Sequence, residues 1–162
     1  MEKISNIIAA IEKYLSILLI AGITLVLFMH VIFRYILNDP IYWASEASIF
    51  MMAWATFLGG SLGLKYKMQS SFTFFINRLS AKKERILSIV THIIMLLFLA
   101  LLIYISFEWV LSLSGSTSSS LRVPMWVPYS CVPVGLTFAF IHLLNHLINL
   151  FKIKANKEEP AL

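Results

Sequence analysis

The sequence predicts an all-α integral membrane protein: four transmembrane helices, a cytoplasmic interfacial amphipathic helix, and both termini in the cytoplasm. Three observations carry this. The 162 residues are 59% hydrophobic and only 13% charged, whereas a soluble domain is about a quarter charged. Four segments (14–33, 47–64, 86–107 and 127–151) contain no Asp, Glu, Lys or Arg and run for 20, 18, 22 and 25 residues. Each meets or nearly meets the length that crosses roughly 30 Å of hydrocarbon at about 1.5 Å per residue. Finally, the basic residues alternate sides. Lys3 and Lys13, then Lys65, Lys67, Arg78, Lys82, Lys83 and Arg85, then Lys152, Lys154 and Lys157 share one face if the chain crosses four times, leaving Arg34 and Arg122 on the other. Lys and Arg are retained on the cytoplasmic side. The net charge of +5 thus reads as a topology determinant with affinity for anionic lipid, and nucleic-acid binding is excluded.

The expected organisation is a single membrane domain, 1–162, with spans at about 14–37, 40–64, 84–109 and 127–151 and the amphipathic helix at about 66–80. The first apolar run is too long for a signal-peptide core and lacks a small-residue cleavage site, so it is expected to be retained. The single cysteine, Cys131, rules out an internal disulfide and reads as a small apolar filler.

The first span ends at a corner, Asn38-Asp39-Pro40. Asp39 suits an N-cap and Pro40 the first helical position, where a missing N–H costs nothing. Tyr35, Tyr42 and Trp43 suit the aromatic belt at the outer membrane surface. Glu46 would lie about 9 Å into the second helix, where a lone carboxylate facing lipid is costly. Arg34 stands at a similar depth on the neighbouring helix, so an Arg34–Glu46 ion pair is expected to pin the first two helices. The functional alternative is a carboxylate that binds an ion or substrate.

Ala55, Gly59 and Gly63 repeat every four residues, a small-residue stripe that permits close helix approach, either within this chain or against a second subunit. Beyond it, Met68, Phe72, Phe75, Ile76 and Leu79 share one helical face while Lys67, Ser70, Ser71, Asn77 and Arg78 fall elsewhere; this pattern predicts the interfacial helix. Ser80 can cap the third span, and Glu108 ends it. Residues 112–120, SLSGSTSSS, read as a flexible outer loop. In the fourth span Pro133, with Gly135 nearby, should leave a carbonyl unbonded and bend the helix.

No phosphate loop, nucleophile elbow or HExxH motif is present, and no catalytic residue, cofactor or metal is assigned. Four histidines remain: His30, His92, His142 and His146. His92 and His146 fall at matching depth, as a haem axial pair would; His142 and His146 have the i, i+4 spacing of metal ligands. Neither constellation has a carboxylate nearby to complete it, and the plainer reading is hydrogen-bonded or interfacial histidines. Glu46 is the one acid placed to serve proton-coupled transport, and it lies near the surface.

The stretch FRYILNDPIYWASEASIFMMAWATFLGGSLGLK resembles the signature of the small membrane subunit of TRAP transporters, the DctQ type, through Phe33, Arg34, Tyr35, Asn38, Pro40, Trp43, Glu46, Trp54, Phe57, Leu58 and Gly59. LRVPMWVPYSCVPVGLTF is similar to the family's final helix at Pro124, Trp126, Tyr129, Pro133 and Gly135. Departures stand at Lys67, Gln69 and Thr73, where the family often has Gly, His and Asp, and at Ser45, where it often has a second acid. The resemblance implies a non-enzymatic, multi-pass subunit of the bacterial inner membrane. Its partners would be a large elevator-type membrane subunit and a periplasmic substrate-binding protein. The system would import an organic acid, a C4-dicarboxylate or a sialic acid, by sodium symport. The small subunit would support the large one's static scaffold. Two readings from other classes are a haem-anchoring electron-transfer subunit and a stand-alone small transporter.

Overall fold

The computed structural model describes residues 2–66 and 81–155. Among the described residues four helices are long and apolar enough to cross a membrane. The main elements are α1 (Glu2–Tyr35), α2 (Tyr42–Lys65), α3 (Ala81–Ser112) with a 3₁₀ turn at Leu113–Gly115, the short α4 (Trp126–Tyr129), and α5 (Cys131–Ala155). The interfacial helix expected at 66–80 lies outside the described residues, apart from Tyr66, which closes α2.

Helix α1 is longer than its apolar run. Its 34 residues span about 51 Å, well beyond the hydrocarbon thickness. The segment 2–13, which precedes the span expected at about 14–37, is helical. No Gly or Pro interrupts the first 21 residues, so nothing local stops the helix from extending past the uncharged stretch.

The corner also differs from expectation. Asn38 adopts a left-handed conformation (φ 52°), which ends α1 in the manner of a C-terminal cap. The Asp39 N–H donates to the Phe33 carbonyl at 3.1 Å, so Asp39 closes α1 instead of capping α2. Pro40 and Ile41 form the connector, and α2 starts at Tyr42 with Ile41 as an N-cap that offers no side-chain bond. His30 Nδ1–H donates to the Ile41 carbonyl at 3.0 Å, tying the connector back to α1.

The helices form an open layer. α1 and α2 pair as an antiparallel hairpin, α5 packs on α2, and α3 packs on the far side of α5, so that α1 and α3 are the two edges. The most apolar stretches of α1 and α3 have no buried residues, whereas 39% of the corresponding stretch of α5 is buried. Buried positions are mostly small: Ala9, Ala44, Ser48, Ser61, Cys131 and Ala139. Large apolar side chains such as Leu18, Phe28, Leu97 and Tyr104 are exposed. This inversion of a soluble core is expected where lipid is as apolar as leucine and helices associate through close packing and hydrogen bonds. The small apolar core joins Leu99 of α3 to Ala139 and Leu143 of α5.

Gly135 shows how close the packing is. A Cβ built there would lie 2.7 Å from Phe57 Cβ and 3.1 Å from the Phe57 carbonyl carbon and oxygen; the glycine is a packing position between α2 and α5. Pro133 falls in the first turn of α5, and the helix breaks one turn earlier, at Ser130. The missing Pro133 N–H would have bonded the Tyr129 carbonyl, so α4 and α5 separate there. Thr137 Oγ1 donates to the Pro133 carbonyl at 2.7 Å.

Candidate functional site

Two polar constellations hold the layer at its opposite ends. At the corner end, Glu46 on α2 faces the turn that follows α3. Its carboxylate accepts three backbone N–H bonds, from Ser119 (3.2 Å), Ser120 (2.9 Å) and Leu121 (2.9 Å). The turn that presents them is ordered, in contrast to its Ser-rich composition. Thr117 and Pro124 form an antiparallel bridge, the Ser118 N–H donates to the Val123 carbonyl at 2.9 Å, and the Met125 N–H to the Ser116 carbonyl at 2.9 Å. Arg122 takes the left-handed conformation (φ 52°) that lets the turn close.

This arrangement replaces the expected Arg34–Glu46 ion pair. The carboxylate oxygens of Glu46 are taken by the turn, and the Arg34 guanidinium lies over the Tyr35 ring, 5.5 Å from its centroid. Among the described residues the acid–base contact found is a different one, between Glu12 and His142, an ion pair only when the imidazole carries a second proton. A shallow groove opens beside the Glu46 clamp, lined by Phe33, Asp39, Pro40, Trp43, Ser119 and Ser120. Below it, Tyr129 packs edge-on against Trp109 at 5.1 Å and Phe50 at 6.4 Å between ring centroids, joining α2, α3 and α4.

At the other end lies a constellation that sequence reasoning missed. His142 on α5, Glu12 and Ser5 on α1 are all essentially inaccessible. His142 Nε2–H donates to Glu12 Oε2 at 2.9 Å, and the Ser5 hydroxyl meets His142 Nδ1 at 2.8 Å. Ser5 and Glu12 stand seven residues apart, two turns on one helical face, and the imidazole bridges them. Lys65, the last residue of α2, donates through Nζ to the Ser5 carbonyl and to Asn6 Oδ1, both at 2.9 Å. His146 Nε2–H donates to the Lys65 carbonyl at 2.8 Å. Three helices thus converge on one polar cluster. The carboxylate that the histidine pair lacks in the local sequence is Glu12, 130 residues away. The readable signal was an acid in a helix-permissive, apolar neighbourhood (IIAAIEKYLSILL), one face of which is Ser5, Ala9, Glu12 and Ser16.

The other histidines are engaged as well: His92 Nδ1–H donates to the Ser88 carbonyl of its own helix at 2.7 Å, and His30 holds the corner. Among the described residues no group of three His, Cys, Asp or Glu is placed to hold a metal ion.

The small-residue stripe on α2 is open. A Cβ added at Gly59 or Gly63 would meet nothing within 4 Å among the described residues, so neither glycine is needed for close packing against the described helices. Ser45, Ile49, Met52, Thr56 and Gly59 are exposed at a helical spacing, forming one continuous face along α2.

An open layer of four apolar helices, with its polar groups engaged in ties between them, defines a helical integral membrane protein with an uncovered packing face. Its family follows from comparison with known proteins. The chain belongs to the family described as tripartite ATP-independent periplasmic transporters, DctQ component, whose model matches residues 23–153. It is 25% identical to the C4-dicarboxylate TRAP transporter small permease protein DctQ of Vibrio cholerae, with 91% of this chain and 75% of that protein covered. It is 26% identical to the sialic acid TRAP transporter small permease protein SiaQ of the same organism, across 94% of this chain and 88% of that protein. The chain is accordingly a small permease of the TRAP type and a multi-pass protein of the inner membrane. The matched segment contains the Glu46 clamp and His142 but begins after Ser5 and Glu12.

Proposed function

We propose that this chain is the static supporting subunit of a sodium-driven, binding-protein-dependent importer of an organic acid, in the C4-dicarboxylate or sialic acid class. It would seat the large membrane subunit along the open face of α2. The observation that carries the reading is that face: small residues at Gly59 and Gly63 with open space around them, in a family of transporter components. Small residues permit the close backbone approach on which helix association in lipid depends. An elevator transporter needs a wall that does not move, and a layer whose hydrogen bonds tie its own helices together suits that role. The two relatives named for C4-dicarboxylate and sialic acid support that substrate class.

In this reading both termini and the Lys65 end face the cytoplasm, supported by the 11 of 13 basic residues on that side. The groove beside Glu46 then faces the periplasm, where Asp39, Trp43 and the turn at Ser119 and Ser120 offer the binding protein a surface. Neither transport nor enzymatic chemistry is assigned to this chain alone.

Co-purification tests the reading. Gly59→Leu and Gly63→Leu fill open space, so the chain should express and fold as before yet lose the tagged large subunit on affinity purification. Retention of the large subunit by both variants would remove the proposed seat.

A further inference from the structure

We propose that the Glu12–His142 pair, at the Lys65 end of the layer, is a proton-binding site. The hydrogen-bond geometry lets the ring take up a proton with no heavy atom moving. Nε2–H donates to Glu12 Oε2 in either charge state of the ring. Nδ1 faces a hydroxyl, Ser5 Oγ, at 2.8 Å, and a hydroxyl both donates and accepts. With the imidazole neutral, Ser5 O–H donates to Nδ1; with the proton added at Nδ1, the new N–H donates to Ser5 Oγ and the hydroxyl hydrogen turns away. The proton comes from bulk water, and the charge gained by the ring is matched by the carboxylate that it already touches. A backbone carbonyl at Nδ1, as at His30 and His92, keeps a proton on that nitrogen and offers no such exchange.

A second observation places unsatisfied oxygens at the same level of the layer. Among the described residues Glu12 Oε1, Ser16 Oγ, Ser61 Oγ and Asn145 Oδ1 are buried and have no hydrogen-bond partner. The contacts Asn6–Lys65, Gly22–Met51 and His30–Ile41 set an antiparallel register that puts Ser61 opposite residues 10–12. The contacts Phe57–Gly135 and Lys65–His146 set a parallel register that puts Ser61 opposite 139–142. Asn145 lies one turn beyond His142. A carboxylate oxygen, a hydroxyl and an amide oxygen at one level of the layer match the two donors and the acceptor of a water molecule, and buried polar groups left over in folded proteins are commonly bridged that way.

Among the described residues the charged and titratable groups around the pair are few. From α2 comes Lys65, whose charge Glu12 feels. From α5 comes His146, held by the Lys65 carbonyl. On the side of α5 toward α3 lies the apolar layer of Leu99, Ala139 and Leu143. A cation at Glu12 other than the proton would have to compete with the Lys65 ammonium. Direct contact between α1 and α5 is otherwise sparse, so the pair is the main polar tie between these two helices, while α2 holds α1 to the layer.

The test is a titration of ¹⁵N-histidine-labelled full chain in lipid nanodiscs from about pH 5 to pH 9, bracketing the range where an imidazole changes charge. His142 is assigned by its loss in His142→Asn. A single step from the neutral to the imidazolium pattern at His142 is expected. Glu12→Gln should demand about tenfold more protons for the same step, since it removes the counter-charge. A ring that keeps one pattern across the whole range, or a midpoint unmoved in Glu12→Gln, overturns the proposal. The wild-type titration decides the matter even if the glutamine variant does not fold.

Discussion

Gly135 and Phe57 are in contact so close that a single methyl group would not fit between their helices. The obstructing atoms are Phe57 Cβ at 2.7 Å and the Phe57 carbonyl carbon and oxygen at 3.1 Å. Overpacking of this kind typically costs about 1–3 kcal/mol. Gly135→Ala should therefore lower the melting temperature of the purified chain in detergent. Phe57→Ala should not rescue it, because the atoms in the way are backbone and a Cβ that alanine keeps.

The Glu46 clamp predicts a local effect. Glu46→Gln removes the negative charge that three N–H groups point at, and charge-assisted bonds are the stronger kind. Hydrogen–deuterium exchange should rise at residues 117–123 while the spans keep their protection. Arg34→Ala, which the sequence would equate with the loss of the same pair, should leave that turn unchanged, because the guanidinium contacts Tyr35 and not Glu46. An equal effect of both substitutions on the turn would restore the ion pair.

The contrast between these two residues shows what was legible. The four long helices could be read because an uncharged run is a property of consecutive residues, and the corner could be read from Asn38 and Pro40. The partner of Glu46 could not. Depth along adjacent helices pointed to the nearest cation, whereas the actual donors are backbone N–H groups of Ser119, Ser120 and Leu121, whose side chains carry no mark of the role. Glu12 was hidden for a different reason. It precedes the expected first span, and only the fold brings His142 to it across 130 positions. The openness of the layer was likewise unreadable: the stripe at Gly59 and Gly63 is compatible with internal or external packing until the neighbours are known.

The order of helices in the layer can be checked by cross-linking. Gly22 faces Met51, whose sulfur would lie 3.2 Å from an added Cβ, and α1 and α3 occupy opposite edges. With Cys131 replaced by serine, Gly22→Cys combined with Met51→Cys should cross-link efficiently with a short bifunctional reagent. Gly22→Cys with Ile105→Cys on α3 should not. Efficient linkage of the second pair within one chain would mean a closed bundle in place of the open layer.

Lys65 separates its side chain's work from its backbone's. Nζ holds the start of α1 through the Ser5 carbonyl and Asn6 Oδ1, while the Lys65 carbonyl receives the His146 ring. Lys65→Met removes the first set and keeps the second. It should raise hydrogen exchange in the first two turns of α1, where the helix extends beyond its apolar run, and leave the seam between α2 and α5 protected. Lys65→Arg retains a donor and a charge at that place and should give back part of the protection. The same substitution to methionine takes away the cation that Glu12 feels, so the loosening should extend along α1 toward Glu12 and fade beyond it. Loss of protection spread evenly over all four spans would instead mark Lys65 as a requirement for folding and not as a clasp on one helix end.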